Sequence, residues 1–154
     1  MKELLEYRKQ LTARLVTASE EFRDACLAVD DPLEPLDDGW NVHQLAAHAR
    51  DVHKLVYGLR SLRTAREDNP EFQNFDADAY MAIHYSAGES LDDLLNGLVE
   101  DVRDVAEALT TLPVEAWSRV SRHATLGSGF TLQAWVERDL AHIEEHLATV
   151  KMEK

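Results

Sequence analysis

The stretch LDDLLNGLVEDVRDVAEALT, residues 91–110, contains the clearest helical pattern in the chain. Its apolar residues recur at intervals of three and four, which places them along one face of a helix: Leu91, Leu94, Leu95, Leu98, Val102, Val105 and Leu109. Ser90 is a favourable N-cap for this helix, and Pro113 lies just beyond its end. The pattern predicts an amphipathic helix whose apolar face packs against neighbouring helices.

Three other long stretches have the same period, at about residues 2–29, 41–66 and 131–150, and none shows the two-residue alternation of a strand. Asn41 and Gln44 match a capping box, with Trp40 expected to pack on the first turn of that helix. Thr131 is the predicted cap of the last helix. The stretch DDPLEPLDDG, residues 30–39, separates the first two helices because its prolines cannot continue a helix.

Two long connections join these helices. The first, residues 67–89, is predicted to contain a short helix at about 76–85, and the second runs through Trp117 to the sequence LGSGF, residues 126–130. Connections of roughly 20 residues are long enough to cross a bundle. The sequence therefore predicts an all-α fold, a four-helix bundle with long crossover connections, formed by a single domain over residues 1–154.

Composition and charge argue against some classes of function. The chain has 154 residues, 45% of them apolar and 29% charged, which is typical of a globular domain. Its formal net charge of -13 repels phosphate backbones and anionic lipid, so we expect a small-molecule substrate and neither nucleic acid nor membrane as partner. The opening residues carry charges throughout, and the single cysteine, Cys26, is expected to be a small core residue. Both features favour a cytoplasmic location.

The positions of the histidines on the predicted helices point to a metal site. His142 and His146 lie one helical turn apart and border the apolar stripe of the last helix, whereas His48 lies inside the stripe of the second helix. His43 and His53 fall about 140° away from His48 on either side, and the pattern predicts both to be surface residues.

Three inward histidines permit two interpretations. They can satisfy one another and nearby groups by hydrogen bonds, as buried polar side chains usually do. Alternatively, three neutral nitrogen ligands can hold zinc or nickel and leave coordination positions open for water or substrate. The spacing alone leaves both open.

Two sequence motifs then resemble those of the DinB-like superfamily, also called DinB/YfiT-like, of metalloenzymes. The first is WNVHQLAAH, residues 40–48, and the second is TLQAWVERDLAHIEEHLATV, residues 131–150, preceded by RHATLGSGF, residues 122–130. The resemblance covers about residues 3–150. It implies a four-helix bundle with long crossovers and a divalent metal, nickel or zinc, bound by His48, His142 and His146.

The resemblance also suggests a class of reaction. Characterised relatives include transferases and isomerases that use the thiols bacillithiol, mycothiol or glutathione, so a thiol-dependent S-transferase with a low-molecular-weight thiol is the expected activity. A metal-dependent hydrolase and a non-catalytic metal- or ligand-binding bundle related to stress are the alternatives. A homodimer is expected from the resemblance alone.

Several other residues are candidates for secondary roles. Asp139 is placed to orient an imidazole, although it fits equally well as an ordinary acidic residue of the helix. Glu145 is placed to accept a proton, but the pattern favours a plain solvent-facing glutamate. Arg122 and His123 precede the glycine-containing loop and are candidates for binding an anionic group of a thiol cofactor. His84, in the first crossover, is a candidate for the pocket mouth or for simple packing.

Overall fold

The computed structural model of the chain describes residues 1–37 and 39–152 and is mostly helical. The helices are α1 (Lys2–Leu27), α2 (Val42–Val52), α3 (Gly58–Arg66), α4 (Ala77–His84), α5 (Leu91–Thr110) and α6 (Leu132–Met152). A π-helical turn, His53–Tyr57, joins α2 to α3, and a short 3-10 helix spans Val114–Ser118. Asp38 of the predicted linker and residues 153–154 of the predicted domain lie outside the described residues.

The predicted four-helix bundle is confirmed, with the continuous run from α2 to α3 counting as one of its four long helices. Helix α1 packs against both α5 and α6, while α2 packs against α5 and α3 against α6. The leucines of the stretch that begins at residue 91 face this interior, where Leu94, Leu98 and Phe22 are fully buried. None of the helices in the described ranges is both long and apolar enough to span a bilayer.

The predicted helix caps are present. The side chain of Asn41 accepts a hydrogen bond from the backbone N–H of Gln44 at 2.7 Å, and the Gln44 side chain accepts one from the Asn41 N–H at 2.9 Å. Ser90 and Thr131 cap α5 and α6 through equivalent hydrogen bonds of 3.3 and 3.1 Å. Each side chain satisfies a backbone N–H that has no partner within the first turn of its helix.

A small sheet was not predicted. Strand β1 (Glu71–Phe72) pairs in parallel with β2 (Val120–His123), which pairs antiparallel with β3 (Gly127–Thr131). The longest of these strands has five residues and the shortest has two, so none is long enough to produce a recognisable alternation. The prediction that these segments are loops was wrong because pairing between distant segments forms the strands.

The sheet is attached to the bundle through α6. The indole N–H of Trp135 donates a hydrogen bond to the Ser121 hydroxyl at 2.7 Å, and that hydroxyl donates to the Phe130 carbonyl at 2.9 Å. The Trp135 ring is fully buried and stacks on the Phe130 ring, with 4.9 Å between their centroids. The second crossover is therefore held beside the start of the helix that carries His142 and His146.

The π-helical turn changes which residues of α3 face inward. A regular helix would place Leu59 in the apolar stripe, as the sequence pattern predicts, yet its exposed fraction is 43%. A π turn contains one residue more than an α turn, so every later residue is rotated out of the expected phase. As a result, Arg60, Ser61 and Thr64 are buried, whereas Leu59 is exposed.

Gly58 ends the π turn, and a larger residue there would collide with the turn. A Cβ atom at this position would lie 2.7 Å from the backbone oxygen of His53 and 3.0 Å from its imidazole Cε1. A Cβ at Gly97, within α5, would meet nothing closer than 3.9 Å, the distance to Cδ of Arg50. The two glycines therefore differ in available space although both lie in helices.

We expect Gly58→Ala and Gly97→Ala to change the free energy of unfolding in opposite directions. Alanine is favoured over glycine inside a helix by about 1 kcal/mol, which should stabilise the Gly97 variant. At Gly58 the collision should outweigh that gain and lower the free energy of unfolding by about 1 to 3 kcal/mol. Urea denaturation of both variants measures the difference, and equal stabilisation by the two substitutions would contradict the π turn.

Candidate metal centre

The structure brings together the three histidines that were predicted to face inward. His48 comes from α2, and His142 and His146 come from successive turns of α6. The Nε2 atom of His142 lies 3.2 Å from Nε2 of His48 and 2.9 Å from Nε2 of His146. These residues, hereafter the triad, each offer one ligand atom, and the three atoms lie within 4.8 Å of one another.

Normal hydrogen bonds cannot account for both short contacts of His142 at once. The nitrogen of a neutral imidazole either donates one proton or accepts one, so Nε2 of His142 can form a normal hydrogen bond with only one of its two neighbours. Two ligand nitrogens on an ion at about 2.1 Å are separated by about 3.0 Å at a right angle and about 3.4 Å at a tetrahedral angle. The observed separations of 2.9 and 3.2 Å fit a shared cation.

The electrostatic environment keeps His48 and His142 unprotonated. Burial, and then the neighbouring His146, lowers the pKa of His48 to about 4, against a smaller opposing effect of Asp78. Burial, and then the charges of His146 and His48, lowers the pKa of His142 to about 3. At neutral pH both imidazoles therefore have lone pairs available, as a metal ligand requires.

Asp139 orients an imidazole, but the imidazole belongs to His53 and not to the triad. Nδ1 of His53 lies 2.7 Å from Oδ2 of Asp139, and each side chain is 1% exposed. The prediction that His53 is a surface residue was wrong, because the π turn begins there and α5 and α6 cover that side of the helix. Burial alone would lower the pKa of His53, yet the Asp139 carboxylate raises it above the ordinary value.

His43 was also predicted to be a surface residue, and this too was wrong. Its exposed fraction is 4% because the end of the first crossover folds over it. Nε2 lies 2.6 Å from the Glu89 carbonyl and Nδ1 lies 2.6 Å from the Tyr85 hydroxyl. A carbonyl can only accept, so Nε2 donates to Glu89 and the Tyr85 hydroxyl donates to Nδ1. These two hydrogen bonds of His43 hold the end of the first crossover against α2.

A cavity of about 280 Å³, hereafter the triad cavity, opens beside the triad, with His48 and His142 in its wall. Tyr57 of the π turn also lines it, with its ring centroid 5.7 Å from that of His142. Tyr57 and Arg60 were not predicted as site residues, because they line the cavity only where the π turn rotates them. The one local signal was Gly58, which is unfavourable inside an ordinary helix.

The other residues that the sequence singled out for secondary roles lie in different parts of the structure. His123 is buried and lines the triad cavity, whereas Arg122 is exposed and donates to the Asn69 carbonyl at 2.6 Å. His84 is exposed and stacks on the Tyr80 ring. Glu145 is exposed, and Cys26 is fully buried in the core as expected.

Fold and site together define a class of helical bundles with long crossovers and an internal histidine cluster. The sequence profile of the DinB superfamily matches residues 30–150. The chain therefore belongs to the DinB superfamily, in agreement with the resemblance of its motifs. No curated protein matches the chain significantly in sequence.

Among solved structures, the chain is similar to YfiT from Bacillus subtilis, which is described as a probable metal-dependent hydrolase with an unusual four-helix bundle topology. The TM-score is 0.85 at 22% sequence identity, and the match covers 96% of this chain and 85% of that one. At this identity the likeness establishes the fold. The assignment of His48, His142 and His146 as metal ligands stays a prediction.

We expect Asp139→Ala to lower the free energy of unfolding by about 3 kcal/mol, because it leaves the buried His53 without its partner. The pKa of His53 is raised in the folded protein, so the charged pair contributes fully below about pH 6.5. Its contribution declines as the pH rises through the raised pKa. Denaturation at several pH values measures both effects.

The exposed Glu145 provides the control for this experiment. Glu145→Ala removes an equal charge six residues further along α6, where only a surface position is affected. We expect its free energy of unfolding to stay within about 0.5 kcal/mol of wild type. If the two variants had equal stability, the buried His53 and Asp139 pair would not hold α6 in place.

Proposed function

We propose that His48, His142 and His146 bind a divalent metal ion and that the protein is a metal-dependent enzyme acting on a small molecule. The observation that supports this most strongly is the convergence of three Nε2 atoms on one point, with separations of 2.9 and 3.2 Å about His142. Three neutral nitrogen donors suit zinc and nickel, which we propose as the resident ions.

The triad cavity supports catalysis over simple storage of an ion. A non-catalytic site needs no access for other molecules, whereas His48 and His142 lie in the wall of a cavity of about 280 Å³. An ion held by three neutral imidazoles keeps its positive charge and acidifies a thiol or water that it binds. The acidic surface, with a net charge of -13, disfavours nucleic acid and anionic membranes as partners.

Within this class we propose a thiol-dependent S-transferase. None of the described residues that line the triad cavity is acidic, so no carboxylate among them is placed to accept a proton from the nucleophile. A thiol has a pKa of about 8.5 and releases its proton far more readily than water, whose pKa is about 15.7. The absence of an acidic residue from the cavity wall therefore favours a thiol as the nucleophile.

Hydrolysis is the second candidate, and the description of YfiT as a probable metal-dependent hydrolase supports it. In that case water would be activated at the triad, and its proton would leave through a group other than a cavity carboxylate. The two candidates share the triad and differ in the nucleophile.

Metal analysis tests the common part of the proposal. Protein purified without an affinity tag and incubated with zinc or nickel should retain about one ion per chain after gel filtration. His48→Ala and His146→Ala should lose most of this metal because each removes one of three donors. His84→Ala is the matched control, since His84 is exposed, stacks on Tyr80 and is not one of the three clustered histidines. Equal metal content in all four proteins would refute the triad as the site.

Activity assays separate the two candidates. The metal-loaded protein is incubated with an aryl halide electrophile and bacillithiol, mycothiol or glutathione, and separately with activated esters without any thiol. A transferase should consume one of the thiols, and a hydrolase should cleave ester without thiol. Either activity should fall by at least about 100-fold in His146→Ala. Activity that survives this substitution would not arise at the triad.

A further inference from the structure

We infer that the triad cavity binds a substrate with an anionic group, a carboxylate or a phosphate, and that Arg60 is the principal contact for this group. The inference rests on the proposed function, because the triad would act on the other end of the same molecule. It is carried by the surroundings of Arg60 and by the hydrogen-bond donors that line the cavity with it.

Arg60 is a buried cation that has no carboxylate partner among the described residues. Its exposed fraction is 7%, and it lies in the cavity wall with His48 and His142. Its one hydrogen bond within the described part of the chain goes from Nη2 to the Gln73 carbonyl at 3.0 Å. A guanidinium has five N–H donors, so four are left without an acceptor among the described residues. Such a group is stabilised by an anion that accepts two of them at once.

The side chain of Arg60 is held in place before any ligand binds. Its guanidinium lies over the Trp135 ring at 4.9 Å and over the Phe72 ring at 5.7 Å. These contacts fix the plane of the guanidinium, which reduces the entropy lost when an anion binds. Burial, and then the positive charge of Arg138, lowers the pKa of Arg60 against an opposing effect of Tyr57. A bound anion would offset the cost of this buried charge.

Two neighbours add donors to the same cavity. Nδ1 of His123 accepts hydrogen bonds from the backbone N–H groups of Thr125 and Leu126, both at 3.2 Å, so Nε2 carries the proton in the neutral ring. The amide oxygen of Asn74 accepts from the Thr125 hydroxyl at 3.0 Å, which leaves its N–H groups for other partners. His123 and Asn74 both line the cavity, and each carries an N–H group of the kind that binds anions.

Two cavities near the triad differ in charge, and this difference determines which of them an anion can occupy. A second cavity, of about 650 Å³, adjoins Trp40, whose ring packs edge-on against His48, and Asp78 lines it. The triad cavity, in contrast, has no acidic residue among the described residues that line it. An anionic substrate would therefore place its charged group beside Arg60. Tyr57, one helical turn before Arg60, lines the same cavity, with its ring centroid 5.7 Å from that of His142.

Nuclear magnetic resonance titration of metal-free protein tests the inference without relying on activity. Inorganic phosphate and acetate distinguish the two anion types, and acetamide is the neutral counterpart of acetate. The Nε–H signal of Arg60 in wild type should shift with either or both anions and stay unchanged with acetamide. Because no metal is present, an anion cannot bind by coordinating it.

Variants measure how much of the binding depends on Arg60. We expect the dissociation constant of the better anion to rise about 10- to 100-fold in Arg60→Gln, which loses charge-assisted hydrogen bonds. Arg60→Lys keeps the charge without the planar donor pair and should give a smaller loss. Arg63→Gln is the matched control: Arg63 lies over the same Phe72 ring at 5.0 Å but outside the cavity, paired with Glu67. It should bind like wild type.

The possible outcomes separate this inference from the proposed function. If wild type binds neither anion, or if Arg60→Gln and Arg63→Gln weaken binding equally, the inference is overturned even when the triad binds metal. If the Arg60 signal shifts and Arg60→Gln alone weakens binding, the inference holds even when the triad fails to retain metal. Thermal unfolding of each variant confirms that it is folded, and the wild-type signal does not depend on any variant.

Discussion

A buried hydrogen bond joins His53, at the start of the π turn, to Asp139 of α6. Both side chains are removed from solvent, so separating them would leave a charged or polar group without a partner in the core. The bond therefore fixes α6 against the helix that carries His48. Since His142 lies less than one turn after Asp139, the same contact determines where the imidazoles of the two helices meet.

The π turn determines which side chains of its helix line the triad cavity. One additional residue rotates the rest of the helix, so that Leu59 is directed to solvent and Arg60 into the triad cavity. A guanidinium is thus placed in the wall of a cavity that also contains two of the three triad imidazoles. The turn requires Gly58, whose missing side chain leaves room for the backbone oxygen of His53. Such turns frequently occur at functional sites.

The charge of the site differs from that of the molecule. The chain has a formal net charge of -13, yet the triad cavity is lined by neutral imidazoles, a cation and N–H donors. Long-range fields are screened over about 8 Å at physiological salt, so a small anion inside the cavity responds mainly to Arg60 and its neighbours. A large polyanion would meet the acidic surface first. This distribution of charge is consistent with the proposed small substrate that carries a localised negative charge.

The sequence by itself determined the helical bundle, the caps at Asn41, Ser90 and Thr131, and the direction of His48, because these depend on local spacing and on hydrogen bonds within one turn. It could not determine the burial of His53, which depends on an additional residue in one turn and on helices that contact it from elsewhere in the chain. The small sheet and the exposure of each cavity residue likewise depend on pairing between distant segments. Only the tertiary structure decided these features, because interactions between residues far apart in sequence have no periodic signature.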